Sequence, residues 1–136
     1  DMDRIFLYKH PFPTPINHRL HSVETNLEDG VIILSLEQLT NAVLNPEDYY
    51  NVAFHAYAEA FAGMNGQLSF PDCSMTWPQI ESISGWTKEI IMNQTGLDNI
   101  SLLPVHITLF FSKSSQYKNR MPEHYEKFCA IFNQIP

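Results

Sequence analysis

The chain has 136 residues, of which 44% are hydrophobic and 12% aromatic, with 8 basic against 15 acidic side chains and a formal net charge of −7. That length suits one domain around one hydrophobic core, and the acidic balance argues against a nucleic-acid partner, which would need clustered Lys and Arg. No stretch approaches the ~18 to 20 consecutive apolar residues of a membrane span, and the N-terminal DMDRIFLY lacks the basic and apolar regions of a signal peptide. The expectation is therefore one domain over residues 1–136, soluble and cytoplasmic, with no membrane partner in this segment. A leader or anchor ahead of Asp1 stays open.

In chain order, Arg4 to Tyr8 (RIFLY) is short and apolar and reads as a strand, and the prolines at 11, 13 and 15 force an extended loop after it. His10, His18 and His21 lie in this part without ligand spacing and are expected to be solvated. Asp29-Gly30 is a turn signal, and Val31-Ile32-Ile33-Leu34 is a β-branched run short enough for a buried strand. Ser35 reads as the N-cap of a helix over Leu36–Leu44 that stops at Asn45-Pro46. A second helix is expected to start near Pro46 and Glu47, with acidic residues in its first turn, and to run to Gly63.

Helical spacing returns from Trp77 to Met92 through Ile80, Ile83, Trp86 and Ile90, with Gly96 as the stop. Leu102 to Ser112 is apolar and suits either a buried helix or a strand. Pro122 to Gln134 is the last predicted helix, carrying Tyr125, Phe128, Cys129 and Phe132. Cys73 and Cys129 are far apart in a chain large enough to need no staple, so reduced, buried thiols are expected. The sequons at Asn93 and Asn99 matter only in a secreted eukaryotic chain.

The helix containing NVAFHAYAEAFAG, residues 51 to 63, raises the chemical question. Tyr50, Phe54, Tyr57 and Phe61 share one face and read as the stripe turned to the core. The other side carries Val52, Ala53, Ala56 and Ala60, with His55 and Glu59 four residues apart as its polar pair. A buried polar pair without partners costs roughly 1 to 3 kcal/mol. Three solutions exist: the two side chains satisfy each other, they reach another element, or they hold a metal.

Four blocks, taken in order, carry a resemblance: the strand Gly30 to Ser35; Asn51-Val52-Ala53-Phe54-His55-Ala56-Tyr57-Ala58-Glu59; Thr108-Leu109-Phe110-Phe111; and Pro122-Glu123-His124-Tyr125 through Phe132, Gln134 and Pro136. Together, over roughly residues 30 to 136, they resemble the zinc-dependent peptidases of the Mlc titration factor A family. The resemblance implies a zincin-like α+β fold, helix-rich with a small N-terminal sheet. It also places the first zinc ligand at His55, the second at Glu59 where the family has His, the third at Thr108 where it has Glu, and the general base at Ala56, again a Glu in the family.

These departures fall on the chemistry. A carboxylate can bind zinc through oxygen, but a neutral threonine hydroxyl is a poor ligand. Alanine accepts no proton, and loss of a general base costs on the order of 10²- to 10⁴-fold in rate. His106, two residues before Thr108, would point elsewhere on a helix. The expected function is a catalytically inactive relative of a zinc metallopeptidase that works through protein or peptide binding or regulation, with no cofactor expected and zinc left open. One alternative is a metal-dependent hydrolase or peptidase with an altered site using His55, Glu59 and an unidentified third ligand. The other is a purely structural domain in which His55 and Glu59 pair.

Overall fold

The computed structural model describes residues 2–133. It is helix-rich α+β: three strands, β1 (Arg4–Tyr8), β2 (Val23–Asn26) and β3 (Val31–Ser35), precede seven helices. These are α1 (Leu36–Leu44), α2 (Val52–Met64), α3 (Trp77–Ser84), α4 (Lys88–Thr95), α5 (Leu102–Ser112), α6 (Ser114–Arg120) and α7 (Pro122–Phe132). The sheet order is β1-β3-β2. β1 runs parallel to β3, with Arg4 opposite Val31 and Tyr8 opposite Ser35. β2 runs antiparallel, with Val23 opposite Leu34. Asn26 starts the connecting turn by accepting from the Asp29 N–H at 3.0 Å, and Gly30 completes it at φ 68°, a conformation that costs glycine little.

α1 begins where its sequence signals place it, with the Ser35 hydroxyl accepting from the Gln38 N–H at 3.3 Å. The start of α2 differs from expectation. Residues 46–49 form one closed turn off the Asn45 carbonyl, held by the buried Lys113, whose Nζ lies 3.4 Å from the Pro46 carbonyl and 3.5 Å from the Glu47 carboxylate. The helix starts afresh at Val52, where the Asn51 side chain accepts from the Phe54 N–H at 3.0 Å. The helix expected over Trp77–Met92 is two: Gly85 ends α3 in the left-handed conformation at φ 78°, and Thr87 caps α4. Leu102–Ser112 resolves as a helix, buried from Pro104 to Phe110. The last helix is described to Phe132; Gln134 and Pro136, which the sequence reading included, lie outside the described residues.

Two apolar clusters result. The larger joins α3 to α7 around Ile80, Val105, Leu109, Phe110 and Phe128; the smaller packs Val23, Ile32 and Leu34 of the sheet against Val52 and Ala56 of α2. Ala58 of α2 belongs to the larger cluster, so α2 is a wall shared by both, and its alanines let sheet and α5 approach it closely. Both cysteines are free and buried. Among the described residues no helix is long and apolar enough to cross a membrane.

Gly96 closes α4 at φ 74° against the segment that leads into β2. An added Cβ would run into the Leu20 carbonyl and the His21 backbone. Gly96→Ala is therefore expected to cost at least about 2 kcal/mol, combining the left-handed penalty with a backbone clash. A urea unfolding midpoint unchanged by the substitution would refute this packing.

Candidate functional site

Tyr50, immediately before α2, is the residue around which the site is built. Its main chain is clamped by two amide side chains. The Tyr50 N–H donates to Gln94 Oε1 at 2.6 Å, and Gln38 Nε2 donates to the Tyr50 carbonyl at 3.0 Å. Gln38 also donates to Gln94 Oε1 at 3.1 Å, so α1, α4 and the entry to α2 are tied at one point. The Tyr50 ring packs edge-on to Trp86 at 6.0 Å between centroids.

So positioned, the Tyr50 hydroxyl lies 2.7 Å from Nδ1 of His55. Both side chains are fully buried. Burial pushes the His55 imidazole down to about 4, because a charged ring has lost its water. The Tyr50 phenol is pushed up by burial, with a hydrogen bond to Thr108 acting against this and the Glu59 charge adding to it. Both groups are neutral at pH 7. Thr108, on α5, spends its own proton on the Pro104 carbonyl at 2.8 Å.

Glu59, one turn beyond His55, turns to β2 and accepts from the Thr25 hydroxyl at 3.2 Å. Burial raises its carboxyl and the Thr25 bond lowers it. Its Oε1 stands 3.5 Å from His55 Nε2, too far for a strong hydrogen bond, and that buried nitrogen has no hydrogen-bond partner among the described residues. Of the three solutions the sequence leaves open, reaching another group describes the pair best: His55 contacts Tyr50 at the entry to α2, and Glu59 accepts from Thr25 on β2.

The three ligand positions named by the resemblance lie in one neighbourhood. His55 and Thr108 meet at the Tyr50 hydroxyl, and Glu59 flanks it. Ala56 does not face a cleft; it is fully buried against the sheet. His55 Nε2 and Glu59 Oε1, 3.5 Å apart, are spaced as two donors to one ion would be, but the Thr108 hydroxyl is a poor ligand committed to Pro104, so the residues named by the resemblance supply two zinc donors and not three. Among the described residues no three His, Cys, Asp or Glu side chains form a metal-binding group.

His106 points into the larger core, as its helical position requires. Its Nε2 lies 2.7 Å from the Thr76 hydroxyl and its Nδ1 2.6 Å from that of Tyr117. Burial, with His124 adding to it, pushes His106 down to about 4. His21, expected in solvent, is instead 1% exposed. Its Nδ1 lies 2.7 Å from the Arg19 carbonyl and its Nε2 2.9 Å from Glu24, because the Phe12–His21 bridge folds the proline-rich loop back on itself.

The stripe read as core-facing holds at Tyr50, which is fully buried, and fails farther along α2. Phe54 and Tyr57 are 37% and 57% exposed, while the small side of the helix is buried. With Phe61, Ile107 and Phe111 they line an apolar groove of about 290 Å³, in which Phe54 and Phe111 stack at 5.8 Å. On the other side of α2 a polar cleft of about 270 Å³ is lined by Glu24, Thr25, Glu59 and Asp98. Tyr50, Gln38 and Gln94 carry no sequence signal of their role, because a clamp assembled from α1, α4 and a turn has no local spacing. No family model matches this chain, and no curated protein or solved structure matches it either.

Proposed function

We propose that this chain is a binding domain, a zincin-like relative of zinc peptidases in which the positions of metal and base have been taken into the core, and that it receives apolar side chains of a peptide or protein in the groove between α2 and α5. The observation that carries this reading is the 2.7 Å contact of the Tyr50 hydroxyl with His55 Nδ1, beside a Thr108 hydroxyl already donated to Pro104. These donors are spent within their own elements, His55 against the entry to α2 and Thr108 against the first turn of α5. The groove supplies what the buried site lacks, an open concave surface of aromatic side chains.

A second reading rests on one atom. The buried His55 Nε2 has no hydrogen-bond partner among the described residues, and with Glu59 at 3.5 Å it could join a metal site completed by further donors. Zinc calorimetry separates the two. The binding-domain reading expects no stoichiometric uptake, and no difference between the parent and His55→Ala. Peptide arrays then test the groove: peptides rich in apolar and aromatic residues should be retained intact, with Tyr57→Asp weakening retention on the order of tenfold. Zinc uptake abolished by His55→Ala, or cleavage of the arrayed peptides, would sink the reading.

A further inference from the structure

β1 ends the sheet, hydrogen-bonded to β3 on one side only. Its apolar residues stand in solvent, with Ile5 51%, Phe6 45%, Leu7 54% and Tyr8 46% exposed. Edge strands are usually blunted by proline, a bulge or an inward charge; RIFLY has none of these within its apolar run.

The direction of the free backbone groups follows from the ladder. Arg4 is opposite Val31 and donates its N–H to the Gly30 carbonyl at 3.2 Å. In a parallel ladder alternate residues turn both groups to the neighbour. Arg4, Phe6 and Tyr8 therefore face β3, and Ile5 and Leu7 present N–H and C=O to the open side.

We infer that two copies of this chain pair through these edges, β1 running antiparallel to β1 of the second copy about a two-fold axis at Phe6. In that register Ile5 meets Leu7 of the second copy, and the residues with outward N–H and C=O groups are the ones that must exchange them. The flanking sequence is complementary to itself: Asp3 falls opposite Lys9, Arg4 opposite Tyr8, and Phe6 opposite Phe6. Arg4 now makes only an exposed contact with Asp3 at 3.8 Å, which leaves it able to pack over the tyrosine ring. Parallel pairing would set Asp3 against Asp3 and would not close. Antiparallel pairing consumes both β1 edges, giving a closed dimer with one continuous sheet. This inference is independent of the proposed function.

Sedimentation equilibrium on the whole chain from low to high micromolar concentration should show a monomer–dimer equilibrium. Asp3→Lys and Lys9→Asp should each weaken it on the order of tenfold, since every dimer contains the contact twice, and the double exchange should restore it. Phe6→Cys places two cysteines at a non-hydrogen-bonded antiparallel pair, close enough for a disulfide. Mild oxidation should trap that variant as a dimer and leave Tyr8→Cys monomeric; Cys73 and Cys129 are buried and give little background. A monomer at every concentration, equal trapping of both cysteine variants, or failure of the double exchange to restore association would each overturn the pairing.

Discussion

Ala56→Glu, which would return the general-base residue implied by the resemblance, is expected to destabilise the fold by roughly 4 kcal/mol or more and to confer no peptidase activity. Ala56 is fully buried and packs with Val23, Ile32, Leu34 and Val52. A glutamate there must either bury a carboxyl among aliphatic side chains, at a cost of several kcal/mol, or push the sheet from α2. Natural domains hold about 5–15 kcal/mol in total, so the variant should unfold at a much lower urea concentration or fail to fold. Ala56→Ser is the graded control: it adds one hydroxyl that can donate back to the carbonyl four residues earlier, and should cost on the order of 1 kcal/mol. If Ala56→Glu folds with a near-parental midpoint, position 56 opens to solvent and the core assignment fails.

Acid should destabilise the protein well above the pH at which carboxylates usually protonate. His55 and His106 are held near 4 by burial, against about 6.5 in an unfolded chain. Below 6.5 the unfolded state binds protons that the folded state refuses, so stability is full above that pH and falls as pH drops toward 4. At pH 5 each histidine removes about 2 kcal/mol relative to pH 7.5. Glu59 acts in the opposite sense: its raised carboxyl takes up a proton earlier in the folded state and partly offsets the loss. The groups facing the two rings are Tyr50 and Glu59 at His55, and Thr76, Tyr117 and His124 at His106. Urea midpoints at pH 7.5 and 5.0 check this. The parent should lose stability on the order of 4 kcal/mol, and His55→Gln should lose about half as much between the two conditions. A midpoint flat over this range would mean that neither ring is buried neutral.

Much of the fold was legible where local chemistry fixed it. Ser35 and the Asn45-Pro46 pair bracket α1 because a cap and a breaker act within a few residues. Gly96 ends α4 for the same reason. Misreadings arose where distant groups decided. Pro46, Glu47 and Asp48 have the composition of a first helical turn, but Lys113 pins them from the far end of α5. β2 is a four-residue strand, VETN, with one buried apolar side chain, too little for a periodicity to show.

The stripe failed at Phe54 and Tyr57 because bulk was taken as the mark of the core. Ala56, Ala58 and Ala60 are buried and these two aromatics are not, while Tyr50 and His55 stay inside. The resemblance named His55 and Thr108 in another role, as metal ligands. The role of Tyr50 had no local signal, since it depends on Gln38 and Gln94 from other helices.

The shared wall formed by α2 divides its residues by their freedom to change. Ala56 faces one cluster and Ala58 the other, so enlarging either strains a core. Phe54 and Tyr57 touch the groove and solvent, and substitutions there escape that constraint. Over generations the groove side of this helix can drift through many chemistries while its inner side stands still. The chemistry of the groove can thus diversify under selection without first acquiring a compensating gain in stability.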